Sequence, residues 1–335
     1  MQLALVGAVN NINKTPNGIN ALMANSTFKG VGTNVEYQPD FRASGLNQPS
    51  AAGASLTYNF IENPTYQKKS TLKANYFLQD RNSDYLSETR TTTTVNSADQ
   101  IFENSNTINS SSNTNQRFDS NYEFAKRGHY LTFSQSVNIH QGNSDDQTYR
   151  TAGNLENAVT STNNSFDNSN FNNRNFNLRG DYRYSPYIYT QGMRFMGLSA
   201  EYNLSGYTNE NERLNLTEFR SFTDIGANRD FNRRYDTKNE GISQEIELDL
   251  NDLKSLLLGD KRVAGISFDL TNKLILKSDK NDNRVRDLDT LTDTYVVNTY
   301  LNNQVKTNVI EETPGLRIQK SFRKSLSNRF YQNLT

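Results

Sequence analysis

Apolar residues recur at every second position in about eleven stretches of this chain, the period of a strand with two unlike faces. Leu3, Leu5, Gly7 and Val9 alternate with Gln2, Ala4, Val6 and Ala8. Ala54, Leu56, Tyr58 and Phe60 oppose Ser55, Thr57 and Asn59, and Leu72, Ala74, Tyr76 and Leu78 oppose Thr71, Lys73, Asn75 and Gln79. Further on the stretches come in pairs: Phe118, Tyr122 and Phe124 with Leu131, Phe133, Val137 and Ile139; Phe176, Leu178, Tyr182 and Tyr184 with Met196, Leu198, Ala200, Tyr202 and Leu204. Ile242, Ile246, Leu248 and Leu250 precede Ile266, Phe268, Leu270, Leu274 and Leu276, and residues 305–322 and 326–331 form a last pair.

The connections alternate in length. Short turns fall at Asn63-Pro64, at Arg127-Gly128, around Pro186 and Gly192, at 252–261 and at Arg323-Lys324-Ser325. Gly128 suits Arg127-Gly128 to the positive φ of a tight hairpin. Leu253, Leu256 and Leu257 suggest one helical turn within 252–261. Long polar loops are expected at 10–53, 83–113, 143–170, before Asp236 and at 279–304. Pro314 predicts a bulge or a strand start. The strands then run about 10–13 residues, nearer the 9–11 of a tilted membrane-spanning strand than the 5–6 of a soluble one. One edge of short turns and one of long loops is the pattern of a membrane barrel. The expected fold is all-β, an antiparallel up-and-down meander covering 1–335 and forming part of a transmembrane β-barrel.

The faces opposite the apolar stripes carry charge: Arg179, Asp181 and Arg183; Glu245, Glu247 and Asp249; Asp269 and Lys273. A wet lumen tolerates these, whereas a Lys or Arg at mid-bilayer costs about 2–4 kcal/mol. A soluble antiparallel sandwich also alternates apolar-in and polar-out, so this second architecture stands beside the first.

Composition narrows the functions. Lys plus Arg and Asp plus Glu are both 36, a formal net charge of zero, which argues against a nucleic-acid partner. Mean hydropathy is -0.82, polar enough to suggest disorder, yet 18 Tyr and 18 Phe argue for structure. Aromatic strands joined by polar loops reconcile the two. With no Trp, interfacial girdles would be built from Tyr and Phe. With no Cys, disulfides, thiolate metal sites and Cys nucleophiles are excluded. No apolar run reaches the roughly 18 residues of a transmembrane helix. Met1-Gln2-Leu3-Ala4-Leu5-Val6 has no basic segment or cleavage site, so an exported barrel is expected to have more chain ahead of it.

Candidate chemistry is sparse. His129 falls in a turn and His140 in the following strand, too far apart for a two-His metal pair without distant help. Asp279, Asn281 and Asn283 match the first, third and fifth places of a calcium loop, but Arg284 stands where Gly is required and Thr290 where Glu is expected. This segment reads as a solvated loop. Glu245, Glu247 and Asp249 line one strand face without the pattern of a general acid/base pair. No Ser/His/Asp constellation is visible. The reading is therefore of no catalytic, cofactor-binding or metal site, no cofactor and no enzyme. Asn, about one residue in seven, favours turns and exposed loops that meet ligands.

Several segments carry a resemblance. Leu3-Ala4-Leu5-Val6-Gly7 with Asn10-Asn11-Ile12-Asn13, then Gly53-Ala54-Ser55-Leu56-Thr57-Tyr58-Asn59 with Lys73-Ala74-Asn75-Tyr76-Phe77, resemble strands of TonB-dependent-receptor-like outer-membrane β-barrel proteins. Thr313-Pro314-Gly315-Leu316, Ser321-Phe322 and Leu326-Ser327-Asn328-Arg329-Phe330 resemble a later strand pair of that family. The resemblance spans the chain and rests on structural motifs. It implies a Gram-negative outer-membrane location and a barrel of about 22 strands, of which about eleven are here, incomplete at both ends. It also implies a plug and a leading domain elsewhere in the polypeptide. The implied partners are outer-membrane lipid, the rest of the barrel and plug, an energy-coupling periplasmic protein and an external ligand. The expected function is the wall and extracellular loops of a receptor or transporter that binds or takes up that ligand; the alternative is a secreted β-rich adhesin or glycan-binding protein.

Overall fold

The tightest turn sets the topology. Arg127 and Gly128 both have positive φ, 49° and 85°, the backbone of a two-residue turn whose twist matches the strands it joins. It links β4 (Gln100–Lys126) to β5 (His129–Gly153), with Lys126 opposite His129. The same antiparallel step repeats from strand to strand. β1 (Gln2–Val9), β2 (Leu46–Asn59) and β3 (Lys68–Thr94) precede this pair. β6 (Val159–Tyr184), β7 (Gly197–Ser221), β8 (Arg229–Asn251) and β9 (Ile266–Asp289) follow it. A short β10 (Thr294–Val297) folds back on β9; β11 (Asn303–Ser325) pairs with β9, and β12 (Asn328–Leu334) with β11.

This computed structural model describes residues 1–9, 46–65, 67–94, 100–154, 158–185, 197–251, 253, 266–325 and 328–334, with side chains to 320. Of the long loop expected at 10–53, residues 10–45 lie outside those residues, and 46–53 belong to β2 rather than to a loop. The turn expected around Pro186 and Gly192 also lies outside them, as does all but Leu253 of the helical turn expected at 252–261. The turn expected at Arg323-Lys324-Ser325 falls instead on the last residues of β11, where the pairing with β12 shifts register between Arg323 and Ser325. The one short 3-10 turn described, Ile225–Ala227, is capped by the Asp224 side chain accepting from the Gly226 amide.

The chain is thus all-β, a large antiparallel meander in one open sheet with β1 and β12 at its edges. Eleven strands lie on the ladder path, every step antiparallel, so both edge strands run in the same direction.

The strands correct the expected loops. β3 to β9 and β11 are 23 to 27 residues long. The segment expected as a loop over 83–113 is the end of β3 and the start of β4, in unbroken register from Asp84↔Ser110 to Thr94↔Gln100. Likewise 143–170 belongs to β5 and β6, the segment before Asp236 to β7 and β8, and 279–304 largely to β9, β10 and β11. When both faces are polar the apolar stripe vanishes, but the backbone ladder does not need it; Thr91–Thr94 is itself a β-branched run. At about 3.3 Å per residue a 25-residue strand is roughly 80 Å long, more than twice the hydrocarbon thickness of a bilayer even before tilt is counted. Loop length does not alternate here. Each hairpin instead has one half with an apolar face and one half polar on both faces.

Pro314 departs from expectation as well. It pairs with Asn272 in regular register, with no bulge. β12 covers β11 only over Ile318–Ser325, so Pro314 lies where β11 has no second neighbour among the described residues, a position that tolerates a missing N–H.

One layer, not two, makes up the described structure. The substantial contacts of each strand are with its ladder neighbours, and the buried apolar cluster amounts to Ala51 and Phe77 with Val6 and Ala8 against them. The surface is 23203 Å², where a compact protein of 38.1 kDa has roughly 14,000 Å². The stacked sheets that a soluble sandwich requires are not found among the described residues.

Candidate functional site

Register sorts every strand residue onto one of two faces. The first is apolar over one half of the sheet. Leu131 to Ile139, Phe176 to Tyr184, Leu198 to Gly206, Ile242 to Leu250 and Phe268 to Leu276 are five spans of nine residues on adjacent strands, laid side by side by the ladder. Leu3, Leu5, Leu56, Tyr58, Leu72, Tyr76, Phe118 and Tyr122 extend the same face across β1 to β4. Its side chains are uncovered: Leu5 is 69% exposed, Leu248 45% and Phe176 40%. Polar interruptions are few. Ser120, Gln135, Gln244 and Asn272 stand in the band, and Asn272 donates to Glu312 on β11 at 3.4 Å.

At the turn end of this band the aromatics cluster. Tyr58 meets Phe60 edge-on at 4.7 Å between ring centroids, and Phe60 meets Tyr122 at 6.1 Å. His129 belongs here. Its ring lies 4.5 Å from Tyr184, and Nδ1 is hydrogen-bonded to the Tyr182 hydroxyl at 2.8 Å.

Behind the apolar band, the second face carries ions at the same height. Arg179 bridges Asp181 at 3.2 Å and Glu201 at 2.9 Å; Lys273 pairs with Glu245 at 2.6 Å, Arg117 with Asp119 at 2.7 Å, and Lys69 with Glu123. Asp249 accepts from the Ser199 hydroxyl at 3.1 Å. All eight charged residues singled out from the sequence in this band, Arg179, Asp181, Arg183, Glu245, Glu247, Asp249, Asp269 and Lys273, fall on this face by register. Exposed ion pairs add little stability. What matters is where they stand, since every one lies opposite the apolar stripe.

Farther from the Arg127-Gly128 turn the second face is rich in amides, with charged residues on either side of them. Asn115, His140, Asn173, Asn209, Asn239 and Asn281 form one continuous cross-strand row from β4 to β9. Two rings flank it. Phe171 of β6 reaches over Gly142 of β5, where a Cβ would meet Cζ at 2.8 Å; Tyr207 of β7 reaches over Gly241 of β8, where a Cβ would meet Cε1 at 2.5 Å. Sequence reasoning missed this row, because the six residues are scattered over more than 160 positions and only register aligns them.

The two histidines separate onto opposite faces; His140 lies 4.8 Å from the Phe171 ring. Asp279, Asn281 and Asn283 sit on β9, not in a loop. Asp279 and Asn283 are then about 13 Å apart along the strand, too far for all three residues to converge on one ion as they do in a calcium loop. Among the described residues no cluster of His, Cys, Asp or Glu could hold a metal.

The far ends of the hairpins are tied by buttressed carboxylates. Burial pushes the Asp167 carboxyl up, but hydrogen bonds from Arg213 and Asn215 outweigh it and hold it below the usual range. Arg233 and then Asn298 do the same for Asp287, and the Leu291 amide and Thr292 hydroxyl for Asp289.

Comparison of the chain with protein-family models, with curated proteins and with solved structures found no match.

Proposed function

We propose that this sheet is part of the wall of an outer-membrane β-barrel that binds or takes up an external ligand, with its apolar face on lipid and its charged face on an aqueous lumen. One observation carries the reading: a nine-residue apolar band across adjacent strands, backed at the same height by ion pairs. Nine to eleven residues is the length a tilted strand needs to cross a bilayer. A soluble sheet would cover such a face with a second layer.

The remaining polar half of each hairpin then stands outside the membrane, as the extended strands of large barrels do. The opposite end of the sheet, next to the apolar band and carrying the Arg127-Gly128 turn, then faces the periplasm. Tyr and Phe near that turn form the inner girdle that a Trp-free chain requires. Open edges cannot persist in hydrocarbon. Because β1 and β12 run the same way, antiparallel closure takes an odd number of further strands. A ring of about 22 supplies eleven, in keeping with the resemblance to TonB-dependent-receptor-like barrels, whose plug would fill the lumen.

Fractionation of cells that make the complete natural polypeptide, in which further strands close the sheet, tests this. The chain is expected in the outer membrane, resistant to alkaline carbonate and heat-modifiable on gels. Recovery as a detergent-free soluble monomer contradicts the proposal and favours a secreted adhesin.

A further inference from the structure

We infer that the amide-rich part of the second face binds a neutral, polyhydroxylated ligand, an oligosaccharide, along the row Asn173, Asn209, Asn239 and Asn281 between the rings of Phe171 and Tyr207. This inference rests on that face being the lumen.

The rings supply the first argument. Tyr207 stands on β7, yet its hydroxyl donates to Asp279 Oδ1 on β9 at 3.1 Å. That reach crosses β8, two strand spacings or about 9.6 Å, and it passes over Gly241. Only a ring laid down along the sheet can make it, and such a ring turns one broad face outward; Tyr207 is 37% exposed. Phe171 lies over Gly142 in the same manner on the other side of the row. Rings laid flat on a polar surface offer the C–H faces of sugar rings a place to stack.

Hydrogen-bonding capacity supplies the second. Asn173, Asn209, Asn239 and Asn281 each carry an amide donor and a carbonyl acceptor. Hydroxyl groups, which both donate and accept, match both, whereas carboxylates and phosphates only accept. The row crosses β6, β7, β8 and β9, which suits an extended chain of hydroxyls and not a single cation.

Charge supplies the third. Two recesses lie here, one around Phe171, Asn173 and Asn211, the other around Tyr207, Asn209 and Asn281. Asp146, Asp167 and Arg213 also line the first, and Asp279 and Lys280 the second. Arg213 is paired with Asp167 and Lys280 with Glu240, so the carboxylates of Asp146 and Asp279 leave a slight negative excess that repels anions such as citrate.

Outer-membrane vesicles from cells producing the full natural chain, compared with vesicles lacking it, test the inference. Binding of hexasaccharides of glucose, xylose and N-acetylglucosamine is measured against citrate as the anionic comparator. At least one hexasaccharide is expected to bind saturably below about 10 mM, with citrate inert. Tyr207→Ala and Phe171→Ala should each weaken binding at least tenfold and Asn209→Leu several-fold, while Glu247→Gln changes nothing. All variants are checked for heat-modifiability. Heat-modifiable protein that binds no hexasaccharide, that prefers citrate, or whose Tyr207→Ala variant binds unchanged overturns the inference alone. Protein absent from the vesicles overturns the barrel reading, and with it the lumen on which the inference rests.

Discussion

The Tyr207 hydroxyl donates to the Asp279 carboxylate at 3.1 Å across the bare backbone of Gly241. Three strands are tied by that one contact, and it exists only because the middle strand has no side chain at that place. Phe176 over Gly206 repeats the device on the apolar face, where a Cβ would meet the ring at 2.3 Å.

Gly241→Val is therefore expected to lift the Tyr207 ring and to destabilise the folded protein by about 1–3 kcal/mol, the cost typical of forced overpacking. Tyr207→Phe keeps the ring and loses only the hydrogen bond, at about 0.5–1.5 kcal/mol. Urea unfolding of the two variants in lipid vesicles checks the ranking. Equal losses would mean that the ring is not seated over Gly241.

The two faces should respond oppositely to charge. Ile246→Arg, in the middle of the apolar band, is expected to cost about 2–4 kcal/mol or to block assembly. Ser243→Arg lies three residues away but on the charged face, and it is expected to be tolerated. Yield of heat-modifiable protein reads the difference; similar behaviour of the two would count against unlike surroundings.

Acid should act first on the hairpin ends. Asp167, Asp287 and Asp289 are held below the usual carboxyl value of 3.8 by their hydrogen bonds. A depressed carboxyl stabilises the fold above its unfolded pKa, and that contribution fades as the pH falls through the folded value. Proteolysis at the far ends of β6–β7 and of β8–β9 is therefore expected to rise below about pH 4, with the apolar band still protected. Asp167→Asn should remove its share of the pH dependence.

The direction of the strands can be read with single cysteines, since the chain has none of its own. Asn154→Cys, at the end of β5 far from the Arg127-Gly128 turn, is expected to react with a membrane-impermeant maleimide on intact cells. Arg127→Cys, in the β4–β5 turn, should react only after permeabilisation. The reverse pattern would invert the orientation proposed above.

Much of this fold was legible where one face is apolar. The alternation of Leu198, Ala200, Tyr202 and Leu204, and of Ile246, Leu248 and Leu250, marked true strand halves, and Arg127-Gly128 marked a true turn. The polar halves were hidden for a physical reason. Residues such as Ser110–Ser112 and Asn168–Asn173 present similar polarity on both faces, so a strand there has no periodic signature and reads as a loop, although the ladder continues through it. The Asn row was invisible for another reason: its members are joined by register between strands, which no local window contains. The charges at Arg179, Asp181, Glu245 and Glu247 could be assigned to a face because they sit between apolar neighbours, and the structure keeps that assignment.

Spin labels placed one at a time from Ile242 to Leu250 on β8 measure the central claim most directly, through collision with oxygen, which concentrates in lipid, and with a water-soluble nickel chelate. The account predicts strict alternation: oxygen dominant at 242, 244, 246, 248 and 250, nickel dominant at 243, 245, 247 and 249. Uniform accessibility to nickel along the whole stretch, or protection of the even positions from both reagents, would contradict it.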